Sequence, residues 1–276
     1  MNPHDSQPTS LGALLKSLWH NRKLVAEMTR REVVGRYRGS IVGLAWSFFH
    51  PVLMLIVYTL VFSGIFKSRW GVGVEETKTD YAIVLFVGMI MHGFFAECVN
   101  RAAGLILSNA NLVKKVVFPL ELLPWIAALS ALYHMAVSLC VLMLAQLVLN
   151  QQFPLTAAFF PVVLIPLILL TMGASWFLAA TGVYIRDIAQ ATGIITTVLL
   201  FLSPVFYPVA SVPSELRPLL LLNPLTFIIE SARQVLIFGN SPSWTGLAWY
   251  SAASLAVAWA GFWWFQKTRK GFADVL

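Results

Sequence analysis

Residues able to do proton or phosphate chemistry are few in this chain and far apart. Glu97 and Arg101 are a charged pair inside an otherwise apolar stretch, and their i, i+4 spacing puts them on one helix face. Ionisable groups at membrane depth usually face an interior and mark function. With His92 and His134 they are candidates for a proton relay, the chemistry of a secondary transporter or channel. Their place near one end of the stretch also fits an ion pair that snorkels to the interface, and isolated His in separate stretches fit helix-to-helix hydrogen bonds. Arg186 and Asp187 suit a structural ion pair or a helix cap better than an acid and a base. The His are scattered, no H-x-x-x-H or paired-carboxylate cluster occurs, and no G-x-x-x-x-G-K-[ST] loop is present to cradle a nucleotide. Cys98 and Cys140 lie in apolar stretches, where a small hydrophobic role is expected. No catalytic residue, metal site or resident cofactor is expected on this chain.

Anion binding is the other chemistry within reach. Arg30, Arg31, Arg36 and Arg38 crowd the approach to the first long apolar stretch. Guanidinium groups grip phosphate in bidentate fashion, so a collar for an anionic, lipid-linked substrate is one reading. A surface anchor with a topology signal is the other, and it requires only charge.

The elements that must position these groups follow from composition, since 58% of the 276 residues are apolar and only 11% are charged. A hydrocarbon core of about 30 Å needs roughly 20 apolar residues per helix. Stretches of that kind run Ile41 to Phe66, Tyr81 to Leu107, Leu122 to Leu149, Leu155 to Ile185, Ile188 to Ser214 and Trp244 to Gln266. The chain therefore reads as an all-α integral membrane protein with six transmembrane helices. The first apolar run begins only at Ile41, so no cleavable leader is expected. Cationic segments stay on the cytoplasmic side, and with both termini inside, the outer segments hold only Lys67, Arg69, Lys78, Arg217 and Arg233 of the 19 Lys and Arg. The net charge of +7 then gathers on the inner face. Anionic lipid accounts for it and nucleic acid need not be invoked.

Three pieces depart from plain spans. In residues 1–40, Leu11, Leu14, Leu15 and Leu18 follow helical spacing beside Trp19, and "KLVAEMTRREVVGRYRGS" sets Leu24, Val25 and Met28 against the arginines, so an amphipathic interface helix is expected. Between the second and third spans, residues 108–121 hold "SNANLVKKVVFPLE", with Asn109 as N-cap, Lys114 and Lys115 in the last turn and Pro119 as stop. A short capped helix there is either a solvated loop or a rigid projection that a separate motor pushes. Before the last span, the proline-rich run from Ser203 to Ser243 frames a helix from Asn223 to Gly239 that is too short to cross. Helices that dip in and return are allowed only where protein or water satisfies their backbone, so residues 211–243 read as a re-entrant hairpin at a pore mouth. The permease domain is taken as 41–270, with 271–276 as a cytoplasmic tail.

Four segments in this order carry a resemblance: "RREVVGRYRGSIVGLAWSFFHPVLMLIVYTLVFSGIF", "NLVKKVVFPLELLP", "YIRDI" and "SPVFYPVASVPSELRPLLLLNP". Over nearly its whole length the chain resembles the membrane permease of ABC transporters that export polysaccharide, especially the O-antigen branch, with capsule and teichoic-acid exporters as relatives. The resemblance implies a homodimer in the bacterial inner membrane, each copy joined to a cytoplasmic nucleotide-binding subunit that holds ATP and Mg. The cargo it implies is a polyprenyl-pyrophosphate-linked glycan, with lipid as surroundings. It makes the 108–121 segment, with Leu112, Val113, Lys114 and Lys115, a coupling helix, and 211–243 the re-entrant periplasmic helices. It gives the four arginines the carrier pyrophosphate. It also implies a channel lined by the first and fifth spans, where Trp46, Phe48, Phe49, Tyr58, Phe201, Phe206 and Tyr207 would pack against pyranose faces; an interfacial aromatic belt is the alternative. A permease for another lipid or a drug, and a secondary transporter or channel, remain the competing functions.

Overall fold

The computed structural model describes residues 9–65, 70, 78–114, 118–151 and 153–276, and those residues form helices and connections with no strand among them. Helix α1 (Leu11–His20) begins where the Ser10 hydroxyl accepts the Ala13 N–H at 3.3 Å. Helix α2 (Arg22–Arg36) follows and buries Val25 and Val33. Two glycines with positive φ, Gly39 at 87° and Gly43 at 58°, then turn the chain, a conformation that side chains with a Cβ disfavour. The first long apolar element is α3 (Trp46–Tyr58), which carries Pro51 inside it and continues as a π-helical turn over Thr59–Ile65.

Helix α4 (Lys78–Leu105) is the axis of the molecule. It packs against α6 (Leu123–Asn150), α7 (Phe160–Tyr184), α8 (Ile188–Leu202) and α10 (Thr226–Leu236). At one end of α4 sits α5 (Ala110–Lys114), which touches the last helix, α12 (Phe272–Val275); this end is the base. The opposite end carries α9 (Arg217–Leu222) and α10, and the chain returns to the base through α11 (Trp244–Thr268).

Among the described residues, four stretches are long and apolar enough to cross a bilayer: Gly43–Phe62, Tyr81–Leu105, Leu120–Leu149 and Leu155–Tyr184. The two other expected spans differ in character. Helix α11 has 25 residues, about 37 Å at 1.5 Å per residue, but its Trp, Ser and Gly lower its hydropathy. Helix α8 has 15 residues, about 22 Å, and ends at Leu202, well before the Ser214 read from hydropathy. Ser203 turns extended there with ψ 150°, and Pro204 and Pro208 cannot continue a helical ladder. The irregular outer segment thus starts at Ser203.

Small residues let the long helices meet at backbone distance, as membrane packing requires. A Cβ built on Gly261 of α11 would lie 2.0 Å from the Gly173 carbonyl of α7, and one on Gly182 would lie 2.0 Å from the Ala103 carbonyl of α4.

Candidate functional site

At the base, the short helix of the 108–121 segment is α5, five residues long. Asn109 does not cap it. Its side-chain amide donates back to the Leu105 carbonyl at 2.8 Å, and the Ser108 hydroxyl donates to the same carbonyl at 3.1 Å, closing the end of α4. Leu112 and Val113 are half-buried against the core, whereas Lys114 is exposed; Lys115 lies outside the described residues. The residue that ties this loop down is Glu121, 7% exposed. Its carboxylate accepts from Ser17 of α1 at 3.0 Å and pairs with Arg269 at 2.6 Å, and its carbonyl accepts the Trp176 indole N–H of α7 at 3.1 Å. Arg269 also donates to the Phe118 carbonyl at 3.3 Å. Helix α1 therefore docks on protein, through Ser17 and buried Leu14, besides presenting exposed Trp19. The side chains of Leu11 and Leu15 lie outside the described residues.

Further along α4, the Glu97–Arg101 pair proves to be half of a larger cluster. Arg36 at the end of α2 meets Glu97 at 2.5 Å, Arg101 meets Glu32 of α2, and the i, i+4 contact between Arg101 and Glu97 is the looser one at 3.7 Å. Helix α2 is thereby fastened to α4 by two crossed ion pairs. His134 of α6 joins at Nδ1, 3.1 Å from Arg36 and 3.4 Å from Glu97. Tyr37 stands edge-on to the His134 ring at 6.1 Å. Burial pushes its phenol above the ordinary range, with Arg36 pulling the other way. His92 takes no part, since its Nε2 donates to the Thr196 carbonyl of α8 at 2.9 Å.

Beside the cluster, α3, α4 and α6, with Arg36 and Tyr37 at the end of α2, line a half-open cavity of about 520 Å³. Of the expected channel aromatics, Trp46 and Tyr58 line it. Tyr58 is buried beside Phe86 with ring centroids 6.4 Å apart, inside the protomer. Phe48, Phe49 and Phe201 are exposed on outward faces. Phe206 is half-buried between Phe62 and Phe201, at 5.8 and 5.7 Å, and the Tyr207 hydroxyl donates to the Phe201 carbonyl at 2.8 Å. The four arginines divide likewise. Arg36 is consumed by the ionic cluster, while Arg30, Arg31 and Arg38 are exposed and make no ion pair among the described residues. Asp187 holds the N-cap position of α8 without a side-chain hydrogen bond.

The outer segment is held by a residue that sequence reasoning passed over. Arg233 of α10 is fully buried; it donates to the carbonyls of Val84 (3.1 Å), Pro204 (2.5 Å) and Val205 (3.1 Å) and to Glu230 (2.7 Å). The Trp70 ring covers it at 4.3 Å. A single guanidinium thus satisfies the buried, irregular backbone after α8. Gly88 leaves room for it, because a Cβ there would stand 3.0 Å from Arg233 and 3.2 Å from Val205. The helix expected from Asn223 begins only at Thr226, with Leu225 at its N-cap position and no side-chain cap bond; Asn223 ends α9, and its Oδ1 accepts the Leu225 N–H at 2.9 Å in the turn between the two helices.

A family model described as ABC-2 type transporter matches residues 23–237. The chain is 28% identical over 263 residues to an O-antigen export system permease protein RfbA of Myxococcus xanthus, covering 95% of this chain and 98% of that protein. It is 21% identical over 255 residues to a like-named protein of Klebsiella pneumoniae, covering 92% and 95%. To the polysialic acid transport protein KpsM of Escherichia coli it is 26% identical over 236 residues, covering 84% and 88%.

Proposed function

The chain belongs to the ABC-2 type transporter family, and we propose that it is the membrane-spanning permease subunit of an ATP-driven exporter, carrying a lipid-linked polysaccharide of O-antigen type from cytoplasm to periplasm. The observation that carries this is the nearly end-to-end likeness to proteins named for O-antigen export and polysialic acid transport. Hydrolysis then belongs to separate ATP-binding subunits, in keeping with a sequence that has no phosphate-binding loop.

In this reading α3, α4, α6, α7, α8 and α11 are six spans in the bacterial inner membrane, with both termini and the base cytoplasmic. Helix α8 completes its crossing through the turn that Arg233 satisfies, and residues 203–236 form the periplasmic re-entrant piece. Two copies enclose the path. A sugar chain carries hydroxyls that lipid cannot satisfy, and the exposed rings of Phe48, Phe49 and Phe201 support a surface shared between protomers. Exposed Arg30, Arg31 and Arg38 meet the carrier pyrophosphate, and α5 receives the stroke of the ATP-binding subunits.

The test is reconstitution of the chain with a candidate ATP-binding subunit. Export of a lipid-linked glycan is expected only with both partners and ATP, and Val113→Asp with Lys114→Asp should leave hydrolysis running without export. Unchanged export in that variant overturns the coupling role. Proton exchange or ion conduction by the permease alone overturns the ATP-driven reading.

A further inference from the structure

Along α4 every residue from Tyr81 to Val99 is buried or half-buried except Gly93, which is exposed in the middle of the run. Glycine inside a helix costs about 0.5–1 kcal/mol relative to alanine, and close packing is the usual compensation. Here no neighbour demands it: a Cβ on Gly93 would meet nothing within 4 Å. The space in front of it is the cavity of about 520 Å³, whose walls include Arg36, Trp46, His50, Glu97 and His134. That volume falls within the range of about 300–1,000 Å³ usual for small-ligand sites.

The chemistry of the walls selects among occupants. Pro51, Met54, Phe86, Met89, Ile90 and Phe94 make most of the wall apolar, but a lipid tail that filled the whole cavity would also press hydrocarbon on a carboxylate and a guanidinium, which is costly. A phosphate would find Arg36 already neutralised by Glu97 at 2.5 Å and Arg101 by Glu32, so the wall offers no surplus positive charge. A neutral sugar ring fits both halves. Its hydroxyls donate to Glu97 and accept from Arg36, and the exposed His50 imidazole supplies either role. Its flat C–H face has the exposed Trp46 indole to lie on and, at Gly93, a helix surface without a side chain. We propose that this cavity is a saccharide subsite inside each protomer, holding one neutral pyranose of the exported glycan. It is distinct from the path between protomers, because Trp46 and His50 line the cavity while Phe48, Phe49 and Leu53 form an exposed face of α3. The proposal rests on the polysaccharide reading above.

The permease–ATPase complex in lipid nanodiscs tests it by saturation-transfer NMR, with glucose, galactose, mannose and rhamnose as probes, beside export assays. Gly93→Leu puts an apolar side chain into the cavity at a position where a Cβ meets nothing within 4 Å, and His50→Leu removes an exposed imidazole from its wall. The expected result is saturation transfer to at least one sugar in the wild type, loss of that signal and of export in Gly93→Leu, and a weakened signal in His50→Leu. Assembly and ATP hydrolysis should be retained in both. Export that survives Gly93→Leu, no transfer to any of the sugars, or a lipid that co-purifies with the wild type and is lost from Gly93→Leu overturns the subsite and leaves the export reading standing. A wild-type complex that exports no glycan overturns the reading beneath it.

Discussion

Replacing Arg233 with Met keeps an unbranched side chain in the buried site and removes every polar contact it makes. The loss can be worked bond by bond. The Val84 carbonyl lies inside α4 and keeps the helix's own hydrogen bond, so little is forfeited there. The carbonyls of Pro204 and Val205 sit in the turn after α8, and each orphaned acceptor costs about 1–3 kcal/mol. The Glu230 side chain is 32% exposed and rehydrates, so its half of the ion pair counts for little. The ring contact with Trp70 adds up to about 2 kcal/mol when desolvated. Sparing the burial of a charge offsets part of this, and a net loss of about 3–5 kcal/mol matches the removal of one partner from a buried pair. For a chain of this size that lowers the unfolding midpoint by about 6–20 °C. Because Ile228, Ile229, Ala232 and Val235 keep α10 in the apolar core, the damage should be local. Hydrogen exchange should speed up over residues 203–236 while α6 and α7 stay protected. Arg233→Lys keeps the charge but cannot fork across three carbonyls, and it should fall between. An Arg233→Met protein with unchanged midpoint and unchanged exchange would refute the clamp.

At the base, Glu121→Gln should weaken the grip on Arg269 and lower export per ATP hydrolysed, and Glu121→Arg combined with Arg269→Glu should recover part of it; normal export in Glu121→Gln removes the residue from coupling. Arg30, Arg31 and Arg38 changed together to Lys keep the charge and lose the bidentate grip, so export should drop while insertion is normal; full export leaves only a topology signal. Cysteines at Phe49 and Phe201 should be shielded from a membrane-impermeant thiol reagent while glycan is in transit, and labelling indifferent to substrate and ATP returns those rings to the lipid-facing surface.

Periodicity and charge made much of this architecture legible, because membrane helices must bury their backbone and long apolar runs are costly elsewhere. The short helix at 110–114 and the irregular segment before the last helix could both be read from local signals, whereas the helix read from Asn223 begins three residues later, at Thr226. What failed to show were partners far apart in sequence. Glu97 and Arg101 looked like a self-contained pair because their spacing satisfied a helix rule, whereas Glu32 and Arg36 are their nearer partners across the α2–α4 contact. Arg233 was counted among the outer cations, since charge alone does not tell a solvated arginine from one that satisfies a buried turn. Its clue was local: it follows Glu230 by three residues on a helix whose other faces are apolar. Asn109 failed as a cap because its amide can equally close the helix before it. Tyr58 was placed by depth along α3, and depth says nothing about which face a side chain takes.

The polar contacts also divide the molecule mechanically. From Val84, bonded to Arg233, through His92, bonded to α8, to Glu97 and Arg101, bonded to α2, and on to Leu105, bonded to Ser108 and Asn109, a single helix carries links to α10, α8, α2 and the turn before α5. The distance spanned is about 31 Å at 1.5 Å per residue, and most of it is buried. A rod of that kind transmits a displacement of α5 to the far end without bending, because changing its curvature would break contacts all along its length. Helix α3 is built the opposite way. Pro51 removes a ladder bond inside it, the π-helical turn over Thr59–Ile65 loosens its end, and its outward face from Phe48 to Leu60 has no packing partner among the described residues. Compliance therefore resides in α3, the helix that also walls the cavity, and stiffness in α4. Motion delivered at the base should then alter the gap between these two helices before it disturbs the clamp at the other end.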